Sequence, residues 1–162
     1  MAADWVASEV DATERSRPLG VGAAALWQLP KFRDPRGSLV VAELPDDLPF
    51  APRRIFTVYD VPGEDVRGEH AHRVCEQLLI AVHGALSVQI EDGATRREVR
   101  MDVPTVALYL PPMVWGMQYR FSADAVLLVL ASHAYEAADY IRDREDFLRV
   151  VAGGVASRAG AD

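Results

Sequence analysis

From residue 26 to residue 131 the chain never sustains a helical period. Short runs of alternating apolar and polar residues are broken about every ten positions by glycine, proline or aspartate, the residues that set turns. Residues 26–32 (LWQLPKF) read as a first strand, Asp34-Pro35-Arg36-Gly37 as a turn and residues 38–43 as a second strand. A proline-rich connection over residues 44–52 leads into residues 54–61 (RIFTVYDV), whose β-branched and aromatic residues mark another strand. Further strands are expected at 77–82, 85–90, 96–101, 106–110, 115–121 and 125–131, with Glu91-Asp92-Gly93 as a hairpin turn. About nine short strands without intervening helices argue for an all-β sandwich or barrel.

The ends read differently. Residues 1–25 mix alanine, glycine and charge without strand periodicity, and are expected to be a mobile leader. Asp143 is placed to cap a short helix carrying Phe147, Leu148 and Val151 on one side, and residues 153–162 are expected to be a disordered tail. That leaves a single domain over residues 26–152, in a chain of 162 residues. No apolar run is long enough to span a bilayer, and the first ten residues lack the charged-then-apolar pattern of a signal. No membrane association and a cytoplasmic location are therefore expected. The single Cys75 allows no internal disulfide, in keeping with a reducing compartment. A net charge of −7 and the absence of any Lys/Arg run argue against nucleic acid as a partner.

The chemistry concentrates in RGEHAHRVCEQLLIAVHG, residues 67–84. On a strand, successive side chains point to opposite faces, so His70 and His72 share one face and Ala71 takes the other. Two imidazoles side by side suit either metal binding or proton transfer. Glu76, four residues on, could complete a two-histidine, one-carboxylate metal set or orient an imidazole. These readings remain open on the residues alone.

The spacing Gly63-x6-His70-x-His72-x3-Glu76-x7-Gly84 resembles the first motif of the cupin superfamily, with one residue more than usual in two of its gaps. The runs DPRGSLVVAE, LPFAPRRIFTVYDVP, RGEHAHRVCEQLLIAVHGALSVQIEDG, LYLPPMVWGMQY and DYIRDREDFL, in this order, are similar to the nucleotide-sugar 3,4-ketoisomerases over roughly residues 26–150. The RGEHAH and DYIRD segments are the most specific parts. The resemblance implies a cupin, that is a double-stranded β-helix or jelly-roll barrel, with a short C-terminal helix. It implies a soluble homodimer acting on thymidine-diphosphate-4-oxo-6-deoxyglucose. Metal cupins carry another histidine in their second motif; in LYLPPMVWGMQY the corresponding position falls to Trp115, whose indole is no metal ligand. The resembled enzymes work without metal, so no metal and no cofactor are expected.

Moving a ketone between adjacent sugar carbons needs a base near neutral pKa, a donor for the developing oxyanion and a dry cavity. By the resemblance His72 is the shuttling base and His70 its partner, an order that the sequence does not fix. Tyr59, in the preceding strand, is a candidate donor to the sugar oxygen. Arg67, beside the pair, and more weakly Arg54 are candidate diphosphate contacts. Glu76, Trp115 and Tyr119 are expected near the substrate, the two aromatics lining the mouth or core. Two other readings stay open: a metal-dependent cupin enzyme using His70, His72 and Glu76, and a non-catalytic sugar-nucleotide-binding cupin.

Overall fold

Alternation decides the architecture. Each strand presents every second side chain to one interior, and two sheets must meet to cover it. The structure, a computed structural model, describes residues 3–44 and 46–159. In chain order its strands are β1 (Trp5–Val6), β2 (Ser16–Pro18), β3 (Ala25–Gln28), β4 (Lys31–Asp34), β5 (Gly37–Val40), β6 (Arg54–Tyr59) and β7 (Arg67–His72). Then come β8 (Gln77–His83), β9 (Leu86–Glu91), β10 (Arg96–Met101), β11 (Val106–Leu110), β12 (Trp115–Tyr119), β13 (Val126–Ala131) and β14 (Tyr140–Ile141). The one α-helix among the described residues, α1 (Arg144–Ala159), follows. One sheet runs β1-β10-β9-β12-β7-β14 and the other β2-β3-β11-β8-β13-β6, while β4 and β5 form a separate hairpin. This is the expected all-β cupin barrel with a C-terminal helix.

The barrel interior is apolar. Leu79 and Ala81 of β8, Leu86, Val88 and Ile90 of β9, Val99 and Met101 of β10, and Leu127 and Val129 of β13 form one buried cluster. Each fully buried aliphatic side chain contributes roughly 1.5–3 kcal/mol. The intervening residues face outward. Leu78, Ile80 and Ala107 are covered there by Leu29 and Leu48. Ala71, Trp115, Ile141 and Phe147 form a third cluster beneath α1.

Three expectations are corrected. Residues 3–25 are not a mobile leader. β1 pairs parallel with β10, β2 pairs with β3, and Ala7, Leu19, Val21 and Ala24 are buried in the main core. Their apolar residues seal the barrel without any regular spacing, so periodicity does not reveal them. Residues 1 and 2 lie outside the described residues. The expected strand at 26–32 is two strands, because Pro30 has no N–H to continue the ladder that β3 forms with β11. Residues 153–159, expected to be disordered, continue α1, since helix propagation adds one bond per residue and no proline intervenes; residues 160–162 lie outside the described residues. The helix starts as expected, with Asp143 Oδ1 accepting from the Asp146 N–H at 2.9 Å. No helix among the described residues is long and apolar enough to cross a membrane.

Candidate active site

β7 carries both histidines on the interior face of the barrel, while Ala71 between them packs outward under α1. Glu69, at φ 53°, sits in a bulge where the register of β7 against β12 shifts, and this re-aims His70. The two imidazoles meet edge to face, with ring centroids 4.9 Å apart. Opposite His70 stands Gly116, where a Cβ would come within 3.2 Å of a Leu110 methyl. A cavity of about 10 Å³ lies beside the pair, walled by His70, His72, Cys75, Gln77, Gly116 and Gln118 among others.

His72 is held at both ring nitrogens. Its Nδ1 lies 2.7 Å from Asp139 Oδ2, and Asp139 Oδ1 accepts from the backbone N–H groups of Arg73 and Val74. Burial pushes the Asp139 carboxyl up, but the Val74 and Arg73 N–H groups and His72 outweigh it, leaving its pKa below the ordinary value. An ionised carboxylate only accepts, so His72 carries its proton on Nδ1. Nε2 then holds the lone pair, and Gln77 Nε2 donates to it at 3.1 Å. Burial lowers the His72 pKa to about 4, against the pull of Asp139. The ring is therefore neutral at neutral pH, with the Nε2 lone pair unprotonated. His70 Nδ1 donates to the Gly68 carbonyl at 2.9 Å. Burial lowers its pKa too, opposed by that carbonyl and reinforced by the positive charges of Arg142 and Arg54.

Tyr140 completes the cluster. β14 pairs with β7 so that Tyr140 stands directly opposite His72, on the same face. Its ring centroid lies 4.4 Å from that of His72 and 4.9 Å from that of His70. Arg54 Nη2 reaches its hydroxyl at 3.3 Å, and the Arg142 guanidinium sits 4.3 Å from its ring centroid. Arg54 Nε is buried with no hydrogen-bond partner.

Of the residues expected from sequence, the structure brings together His70, His72 and Arg54. Arg67 stands exposed at the start of β7, opposite Gln118 and on the histidine face. The others point elsewhere. Tyr59 occupies the far end of β6 from Arg54, on the outer face, and is 61% exposed. Glu76 accepts from the Tyr109 hydroxyl at 2.6 Å on the outer side of its sheet. A metal set of His70, His72 and Glu76 is thus not assembled. Trp115 is buried under α1 against Phe147, and Tyr119 lies on the outer face next to Glu98. Parity explains each miss: one step along a strand reverses the face, so Gln77 and not Glu76, and Gly116 and Gln118 and not Trp115 and Tyr119, face the interior. Asp139 and Tyr140 belong to the specific DYIRD segment, but their role depends on a contact spanning 67 positions of the chain.

Comparison with known proteins identifies the family. A family model described as "FdtA: WxcM-like, C-terminal" matches residues 23–152. The TDP-4-oxo-6-deoxy-alpha-D-glucose-3,4-oxoisomerase of Aneurinibacillus thermoaerophilus is 41% identical over 122 residues, 75% of this chain and 88% of that protein. The crystal structure of a 3,4-ketoisomerase from Helicobacter canadensis superposes with a TM-score of 0.76 at 35% identity, covering 79% of this chain and 96% of that one. That of QdtA, a sugar 3,4-ketoisomerase from Thermoanaerobacterium thermosaccharolyticum in complex with TDP, gives 0.78 at 30% identity, covering 80% and 95%. With most of the chain inside the family's boundaries and the paired histidines inside the barrel, this protein belongs to the WxcM-like, FdtA-type family of cupin-fold 3,4-ketoisomerases.

Proposed function

We propose that the protein converts a thymidine-diphosphate-linked 4-oxo-6-deoxyhexose to its 3-oxo isomer by proton transfer through an enediolate. The observation that carries this is the buried Asp139–His72 pair at 2.7 Å, which leaves a neutral imidazole with its basic nitrogen toward the cavity. His72 Nε2 takes the proton from carbon 3. The electron pair of that bond forms the carbon 3–carbon 4 double bond, and negative charge moves to the oxygen on carbon 4. The hydroxyl on carbon 3 passes its proton to the oxygen on carbon 4, the imidazolium returns its proton to carbon 4, and carbon 3 becomes the new carbonyl. Asp139 holds the imidazole in one tautomer and steadies its charged form. The Tyr140 hydroxyl donates to a sugar oxygen, where a preset donor is worth a few kcal/mol, and His70, its Nδ1–H committed to the Gly68 carbonyl, accepts from a sugar hydroxyl through Nε2. Arg54 and Arg67 meet the diphosphate.

A second copy of the chain completes the molecule as we read it. β6 is an edge strand of its sheet, with Ile55 and Tyr59 exposed on its outer face, and the β4–β5 hairpin carries Phe32 and Leu39, each 60% exposed. A homodimer in the cytoplasm is the expected state.

The test is incubation with thymidine-diphosphate-4-oxo-6-deoxyglucose in deuterated water with a chelator present. The expected result is a 3-oxo product carrying ring deuterium beside the carbonyl, lost by a factor of about 10³ in His72→Asn. In the same assay Arg67→Ala raises KM more than it lowers kcat. The absence of both product and exchange with the unaltered protein would overturn the reading.

A further inference from the structure

The base just described is not free to act. With Nδ1–H committed to Asp139, the one lone pair of His72 is on Nε2, and the amide of Gln77 occupies it at 3.1 Å. Both side chains are shielded, His72 at 5% exposure and Gln77 at 6%, so bulk water does not compete for that position. The Gln77 backbone is clamped at the head of β8, paired with Leu110 on one side and Ala131 on the other. Only its side-chain torsions can adjust. The cavity there is about 10 Å³, room for roughly one water molecule, and a sugar ring carbon cannot approach Nε2 while the amide stays in place.

We propose that Gln77 is a catalytic residue that guards the base in the empty site and hands its hydrogen bond to the substrate. This rests on the reading of His72 as the base. Without substrate, the Gln77 N–H holds His72 neutral, in the tautomer whose lone pair faces the reaction. When the sugar enters, the amide swings off Nε2 and donates to the oxygen on carbon 4, freeing the lone pair for the carbon 3 proton. The amide neither gains nor loses a proton. Its bond to that oxygen strengthens as charge develops there, so it acts on turnover more than on binding. Gln118 lines the same cavity, but it makes no hydrogen bond to His72.

Two near-isosteric variants test this. Gln77→Met keeps length and removes the donor; it lowers kcat by roughly 10–100-fold at every pH, with KM within about threefold. Gln77→Glu keeps reach and reverses polarity. Its carboxylate accepts from the imidazolium, so the acidic limb of the kcat/KM profile moves up by at least about one pH unit and activity recovers as pH rises. A side chain that merely packs would give the two variants superimposable profiles, and that outcome, or a Gln77→Met enzyme at wild-type kcat, sinks the proposal. ¹⁵N spectra of the unaltered, substrate-free protein provide a check that needs neither activity nor a folded variant. They show His72 protonated on Nδ1 alone; protonation on Nε2 alone overturns the proposal. Failure of the wild-type enzyme to isomerise the sugar would instead overturn the functional reading, leaving the tautomer result standing.

Discussion

At the scale of single residues, the decisive feature is that His72 is buried in a place that favours its neutral form. Its pKa in the folded protein is about 4, below the 6.5 of a free imidazole. Between those two values the unfolded chain binds a proton that the folded chain refuses, so unfolding is favoured as pH falls. Stability is complete above about pH 6.5 and declines toward pH 4, by on the order of 1 kcal/mol per pH unit across that window. Asp139, whose pKa is lowered, adds its own loss only at more acid pH. Thermal melts from pH 7 to pH 4 should therefore show a steep fall that flattens in His72→Asn. Equal slopes in the two proteins would show that burial of this ring costs nothing. The histidine pair itself was legible in the sequence, because HxH in a strand has one geometric meaning. Its carboxylate was not: Glu76 is near in sequence, but Asp139 is near in space.

At the scale of elements, β7 is held from both sides. Its inner face carries the histidines, and its outer face presents Ala71 to Trp115, Ile141 and Phe147 under α1. Phe147 is fully buried, and its ring centroid lies 5.6 Å from that of Trp115. Phe147→Ala should cost about 3–5 kcal/mol in a urea melt. It should also lower kcat, because the cavity it leaves opens directly behind the residue that separates the two imidazoles. A stable variant with unchanged kcat would mean that α1 is only a lid on the sheet. This explains a residue that the sequence misassigned. Trp115 holds the strand that holds the site, and its ring never reaches the cavity.

At the scale of the whole molecule, charge and edges organise the surface. The chain carries a net charge of −7, yet Arg54 and Arg142 cluster around Tyr140 at the site. This local reversal of sign is what an anionic substrate requires of an acidic protein. Among the described residues one side of β6 is unpaired, and the β4–β5 hairpin exposes Phe32 and Leu39; the second copy proposed above would cover such surfaces. Light scattering after size exclusion should give twice the 17.8 kDa of one chain. A mass of one chain would refute the dimer without touching the chemistry.

Alternation determined the class of fold, most strand positions and the orientation of His70 and His72 to one face, and capping chemistry placed the helix start at Asp143, because each depends on neighbours a few residues apart. The tertiary structure decided what those histidines touch. Asp139, Tyr140 and Gln77 reach His72 through β14 and the head of β8, elements brought alongside β7 only when the barrel closes. The same closure enlisted residues 3–25 as part of the core, since burial depends on where a side chain arrives and not on the period of the segment that carries it.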